Sequence, residues 1–596
     1  MERKPLLKRL LSGILAFSMA VSSMTFVVSA DNDSYIPLNF REVSNGSVSA
    51  SLPGKEPISV EEEKVYADDE SVRVSIVLDG SSTIEYGYEV QGIAENAAAM
   101  SYRGELEAKQ NKIVSDIEKV TNKDLDVVWN LTLAANIVSA NVEYGQIKAI
   151  EKVKGVKEVL IEDQYFPQVV SEKPAVDPNM ATSNQQIGSN LAWNSGYTGA
   201  GSRVAVIDTG TDDDHQSFAE AGYLYSLQKN AEKLGISYEE YVGKLNLLTM
   251  AEIDRVKDQL NAGKKNYWAE GSTGVLDPEE AFFTQKLAFN YNYVDHDYDI
   301  NHDSDEQGEH GSHVAGIATA NSWIKTKDGY EPALEYAHMQ GVAPDAQLLT
   351  MKVFGKEGGA YPSDYMAAIE DAIILEADSI NLSLGAANPG HSKTAEATYQ
   401  AIMDNLTKSG VVVSISAGNS GFWSNNSGSI TGNLYATDVS MQMNGAPGSF
   451  TNAFTVASVD NIGITGSYFA ASDGSLIFYI ESPTDTGYNS ITTLSGEQEY
   501  ILITGLGYEE DWAMLGDVIK DKIVICSRGD IPFADKANAA VKYGAAATII
   551  YNNEPGQFGM LSEGYNYKNP FVSITMDDGE KLRETAEEMH TEDYYV

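Results

Sequence analysis

Apolar and polar residues alternate along this chain in rhythms that change several times. Residues 72–78 (VRVSIVL) alternate as a half-buried strand does, and residues 102–120 place apolar positions at helical spacing among charges. Two more strand-like runs, 134–142 and 156–161, flank a helical stretch at 146–152, which predicts a small α+β module over 72–168. A polar linker at 173–186 follows. Five apolar runs then come in an α/β rhythm, at 204–207, 347–354, 379–384, 411–417 and 455–457. The middle three are almost continuously apolar, as parallel strands covered on both faces should be. Helical patterns at 365–377 and 393–408 lie between them, so the main domain, 178–462, reads as a wound parallel sheet. The excursion 215–309 is too long for a plain loop, and the Glu-, Lys- and Leu-rich part at 219–263 predicts an inserted helical subdomain. Beyond 462 a strand at 522–526, a helix at 533–543 stopped by Gly544, and a strand at 548–551 predict a second small α/β module over 463–596.

The amino terminus changes the picture of location. Arg3, Lys4, Lys8 and Arg9 precede an apolar run at 10–28, and Val28-Ser29-Ala30 forms a small-residue cleavage site. This predicts a signal peptide over 1–30, with a membrane anchor as the alternative, then a polar spacer over 31–71. No later run is apolar enough to span a bilayer, so a secreted or cell-envelope location is expected. With 596 residues, 43% of them hydrophobic and 21% charged, the composition is that of a multidomain globular protein. The formal net charge of -45 argues against nucleic acid as a partner and makes bound cations easier to accommodate. Cys526 is the sole cysteine, so the chain makes no disulfide within itself.

Asp208 closes the first apolar run of the main domain in Val206-Ile207-Asp208-Thr209-Gly210, at the carboxyl edge of a parallel sheet, where α/β active sites collect. Asp-Thr-Gly also serves aspartic proteases, but that chemistry needs a second such motif to share a proton, and none is present in a matching context. Further along, His310-Gly311-Ser312-His313-Val314-Ala315-Gly316 reads as the start of a tightly packed helix. The spacing of His310 and His313 also allows a metal pair, which would need further ligands nearby. Asp208 and His310, in this order, resemble the first two catalytic blocks of the subtilisin-like serine proteases, the subtilases. Gly341-Val342-Ala343-Pro344, Ile380-Asn381-Leu382-Ser383-Leu384-Gly385 and Ser416-Ala417-Gly418-Asn419-Ser420-Gly421 are similar to later blocks of that family. The resemblance covers most of residues 190–460, and in layout it is that of the large cell-envelope proteases of the lactocepin type.

The resemblance implies a fold and a division of labour. The fold class is α/β: a subtilisin-like parallel sheet with helices on both faces, incomplete at the carboxyl end. Residues 72–168 would be an α+β inhibitory propeptide and 463–596 a protease-associated domain. Asp208 would hold His310 in one tautomer, His310 would take the proton of a serine, and Asn419 would donate to the oxyanion. Gly358, Gly359 and Ala360, with Ser383, Leu384, Gly385 and Gly418, would bind an extended peptide. Expected partners are protein or peptide substrates and the chain's own propeptide. No cofactor is required for such chemistry. Calcium is a possible structural ion, because Asp295, Asp297, Asp299, Asn301, Asp303 and Glu306 fall in the register of a calcium loop, although Ile300 stands where its sharp turn wants glycine. A solvated acidic loop is the alternative.

The family's third block, a Gly-Thr-Ser-Met-Ala-like run, is absent, and Ser272 lies in the wrong order and context to replace it. The nucleophilic serine is therefore missing, and this chain by itself is expected to be inactive. Two readings follow: the front part of an exported endopeptidase precursor, or a non-catalytic binding or protease-inhibitor protein. Stopping at Tyr594-Tyr595-Val596 favours the first, since the sheet of the main domain would otherwise keep an exposed apolar edge.

Overall fold

The computed structural model describes residues 66–167, 180–264, 275–303, 305, 307–356, 358–385, 396–418, 444–459, 466–481, 488–553, 556, 558–560, 564–586 and 594–595. All of them belong to one compact unit, residues 64–596. The expected signal peptide and nearly all of the spacer lie outside the described residues.

The first module has four strands, β1 (Ser71–Leu78), β2 (Asp126–Leu131), β3 (Ile137–Glu143) and β4 (Val156–Ile161), paired antiparallel in the order β2-β3-β1-β4. The helix Ala97–Thr121 starts at Asn96, whose side chain accepts from the amides of Ala98 and Ala99 and so satisfies two of the helix's free donors. The period-two pattern of β1 gives the sheet two apolar faces. Val72, Val74 and Ile76 pack with Ile117 of the helix, and Val77 faces the main domain together with Trp129 and Leu131 of β2. The sequence pattern missed β2, because Asp126 and Asn130 interrupt its alternation. Asn130 is buried but donates to the side chain of Gln110.

Next come β5 (Phe166–Pro167), β6 (Arg203–Asp208), β7 (Leu287–Asn292), the hairpin β8 (Trp323–Thr326) and β9 (Gly329–Pro332), β10 (Gln347–Lys352), β11 (Ser379–Leu382), β12 (Leu384–Gly385), β13 (Val412–Ser416) and β14 (Phe454–Val456). Six of these form one parallel sheet in the order β14-β13-β11-β6-β10-β7. All five predicted runs are strands of it. The sixth, β7, sits inside the stretch expected to be a helical insertion, which also carries the helices Glu220–Leu234, Tyr238–Val242, Met250–Val256 and Pro278–Ala281. Asn290 and Asn292 disguise β7 in the sequence, yet both are buried and bonded; Asn290 donates to the carbonyls of Ala281 and Leu287.

The helix Pro362–Ile374 is buried along its whole length because the first module covers it. Glu162, at the end of β4, accepts from Ser75, Ser139 and the Ser363 hydroxyl, and from the Ser363 amide at the start of that helix. Trp129 Nε1 donates to Asp364 over 2.7 Å, and Arg73 lies 3.4 Å from the same carboxylate. Glu370 accepts from the amides of Leu133 and Ala134 over 2.7 and 2.8 Å. Each acid is fully buried yet multiply bonded, the condition under which a buried charge is tolerated.

In the last module the strands Tyr500–Ile503, Ile523–Ser527, Ala547–Tyr551 and Phe571–Ile574 run parallel, with the antiparallel pieces Ile480–Glu481 and Tyr594–Tyr595 at the edges. The buried helix face of Phe533–Lys542 and the buried thiol of Cys526 lie in its core.

Candidate active site

Asp208 is the last residue of β6 and His310 the first of the helix His310–Thr319. The two meet because the turn after β6 and the start of the helix touch backbone to backbone. Gly210, at φ 112°, lies against the Ile300 carbonyl, and Gly311 lies against Gly210; a Cβ on either glycine would overlap the facing carbonyl oxygen. Thr209 ties the corner, accepting from the Gly311 amide over 2.8 Å. His310 Nδ1 is then 2.7 Å from Asp208 Oδ1. Asp208 is 1% exposed, while the imidazole of His310 keeps a fifth of its surface open. Burial pulls the imidazole pKa down, but the hydrogen bond and charge of Asp208 outweigh it and leave the pKa raised above 6.5. His313 is instead lowered, by burial and then by His310. Among the described residues no three His, Cys, Asp or Glu side chains gather as a metal site, so the His310 and His313 pair finds no third ligand there.

The two expected peptide-binding strands face each other across a groove, and a segment of this same chain fills it. Tyr165 and Ala360 exchange both backbone hydrogen bonds, at 2.8 and 2.7 Å. On the other side β5 pairs antiparallel with β12, Phe166 opposite Gly385 and Pro167 opposite Leu384. Gly358 and Gly359 both have positive φ, 77° and 78°, which favours glycine, and a Cβ on Gly359 would meet the flexible side chain of Gln164. Ser383 links β11 to β12 at the groove wall, and Gly418, at φ 84°, follows β13. Asn419 lies outside the described residues, as does Glu306.

The side chains of the acidic run make these bonds. Asp295 accepts from Asn292 and the Lys356 amide, Asp297 from the Asp299 amide, Asp299 from the Asn301 amide, and Asn301 from the amides of His302 and Asp303. Apart from Asp295, which reaches the Lys356 amide, these side chains accept from amides of their own loop. Ile300, 1% exposed, anchors the loop, its carbonyl accepting from the Thr211 amide. Lys352, next to Asp208 in the sheet register, is buried and bonds the Asp305 carboxylate and the Asn301 carbonyl. Sequence reading missed Lys352, and it missed the role of residues 164–167. A lysine in an otherwise apolar strand run was the available signal for the first.

The sequence model of the subtilase family matches residues 199–554. The PII-type proteinase of Lacticaseibacillus paracasei is 27% identical over 530 residues, covering 87% of this chain and 24% of that protein. The minor extracellular protease Vpr of Bacillus subtilis (strain 168) is 26% identical over 559 residues, covering 90% of this chain and 54% of that one. The chain thus spans about a quarter and about half of the lengths of these relatives. A solved structure of the epidermin leader peptide processing serine protease from Staphylococcus aureus superimposes with a TM-score of 0.36 at 16% identity, over 66% of this chain and 70% of that one. Since the family match runs through the Asp208 and His310 pair and both walls of the groove, and these proteinases are similar over most of the chain, the protein belongs to the subtilase family and is lactocepin-like within it.

Proposed function

We propose that this chain is the precursor form of an exported subtilisin-like serine endopeptidase, held closed by its own first module. The observation that carries the reading is the bonded Asp208 and His310 pair together with a groove that already binds an extended segment through backbone bonds on both walls. In this reading residues 72–168 are the inhibitory propeptide, and 463–596 is a protease-associated domain. Asp208 fixes the proton of His310 on Nδ1, which leaves Nε2 free to accept the proton of a serine hydroxyl as that oxygen attacks a peptide carbonyl. Asn419 would stabilise the resulting oxyanion. Among the described residues no hydroxyl bonds Nε2 of His310, and the sequence holds no Gly-Thr-Ser-like block. The serine is therefore proposed to come from outside these 596 residues, and the chain alone to be inactive on peptides. Export rests on the apparent signal sequence and on the extracellular character stated in the name of the Bacillus relative. No helix among the described residues is long and apolar enough to cross a membrane.

Sequencing the gene and its transcript across the codon for Val596, with a fluorophosphonate probe on the protein products, tests this reading. A frame that continues into a serine block, with labelling that is lost in His310→Ala, supports it. Labelling of the 596-residue chain contradicts the missing serine. A stop codon after Val596 with tight inhibition of a related subtilase favours the binding-protein reading instead.

A further inference from the structure

His310 reaches Asp208 by a detour. In the main sheet β10 lies between β6 and β7, so the chain leaving β7 at Asn292 must cross the carboxyl end of β10 before His310 can meet Asp208 at the end of β6. The described residues between Asn292 and His310 form no helix or strand, so bonds within regular elements do not fix where this crossing ends. Lys352 is the last residue of β10 and stands under the crossing, opposite Asp208 in one register and Asn292 in the other. It is fully buried, and a Cβ on Gly210, in the turn after Asp208, would come within 3.2 Å of its Cδ. Its ammonium bonds the Asn301 carbonyl over 2.7 Å and the Asp305 carboxylate, both on the crossing loop. A buried ammonium is tolerated only while it keeps such acceptors, so these contacts hold the loop at two points. Nearer the pair, the Ile300 carbonyl accepts from the Thr211 amide over 2.9 Å, and Thr209 Oγ1 donates to the Gly308 carbonyl over 3.4 Å. Asp305 lies five residues before His310, whose Nδ1 must end 2.7 Å from Asp208 Oδ1, a contact that weakens steeply once the groups are displaced.

We propose that Lys352 is a positioning residue for the Asp208 and His310 pair: by holding the crossing loop at Asn301 and Asp305, it sets where the chain delivers His310. The proposal rests on the reading of that pair as the acid–base part of a protease site, and it has Lys352 act through the loop. Direct electrostatic action would have the opposite sign. A nearby positive charge disfavours the imidazolium, so losing the ammonium for that reason alone would raise the His310 pKa. Losing its grip on the loop lowers it, because the hydrogen bond and charge of Asp208 are what hold His310 up against burial.

The test follows the His310 ring protons and nitrogens by NMR in the 596-residue chain across pH. Lys352→Met combined with Asp305→Asn leaves the net charge unchanged and strands no buried ion, and a urea unfolding midpoint near that of the unsubstituted chain shows that the fold is kept. In this variant His310 should titrate about one pH unit lower than in the unsubstituted chain, with a weakened Nδ1 proton signal. Asp305→Glu keeps both charges but adds a methylene between the loop and Lys352, and it should shift the titration in the same direction. Asp208→Asn, which removes the charge directly, is the control and should lower the titration as well. If Asp208→Asn lowers it while either of the other two, still folded, titrates as the unsubstituted chain does or higher, positioning by Lys352 is overturned and the pair stands. If Asp208→Asn leaves the titration unchanged, the reading of the pair itself fails.

Discussion

Asp208 sets the chemistry of His310 against the pull of burial, and the balance is measurable. Because its pKa is raised above 6.5 in the folded chain, His310 holds its proton more tightly there than when unfolded. The stabilisation from this pair is therefore full below 6.5 and fades as pH rises through the folded value. Asp208→Asn keeps a hydrogen-bonding oxygen but removes the charge, leaving burial dominant; the His310 ring protons followed by NMR should then titrate below 6.5 instead of above it. A titration unchanged by Asp208→Asn would mean the 2.7 Å contact does not persist in solution. A second charged contact, Lys352 with Asp305, is buried on both sides, at 1% and 2% of side-chain exposure. Lys352→Met should cost about 3–5 kcal/mol in urea unfolding, because it strands the Asp305 carboxylate, and Lys352→Met with Asp305→Asn should recover much of that. Motif reading finds Asp208 and His310 readily, since their neighbours Gly210 and Gly311 are demanded by close backbone contact. It cannot find Lys352, whose partner lies 47 residues away in sequence.

Individual elements were legible where their residues follow one period. The runs 204–207 and 347–354 predict β6 and β10 because apolar residues dominate them, and 156–161 matches β4. The strands β2 and β7 were lost to buried asparagines that only tertiary partners satisfy. The helix Pro362–Ile374 carries the complementary signal: Asp364, Glu370 and Asp371 sit in an apolar helix with no buried-charge partner in its own turns. Those partners belong to other elements. Asp371 accepts from the Asn261 and Ala262 amides and from Tyr293, and burial pushes its carboxyl up to about 7. Glu370 is the joint between this helix and the first module. Glu370→Ala should lower stability by about 3 kcal/mol and make residues 66–167 susceptible to limited proteolysis, while Glu370→Gln, which keeps one acceptor, should do less. If proteolysis of the module is the same in both variants and in the parent, the module is not held by this carboxylate.

At the level of the whole molecule, the first module buries a helix that would otherwise face water, and the chain leaving it pairs with Ala360 on one side and β12 on the other. The opposite end of the main sheet is less covered. Strand β14 is its edge, and Phe454, Val456 and Val459 are 63%, 50% and 76% exposed. An apolar edge strand is a template for pairing with another chain, so the 596-residue protein should self-associate with rising concentration in sedimentation experiments. Phe454→Lys should reduce that association without lowering the unfolding midpoint, because the side chain it replaces is mostly in water. Unchanged association in this variant would place the contact elsewhere. What the sequence determined by itself was local: the strands and helices with a single apolar period, the order of the Asp and His motifs, and the family they belong to. Only the tertiary structure decided which distant groups meet. It set the Lys352 ammonium against the Asp305 carboxylate, made a buried strand of Leu287–Asn292, and laid Tyr165 against Tyr365. Local periodicity reports which face of an element turns away from water, whereas the partner of a buried polar group is fixed by packing between residues tens to hundreds of positions apart.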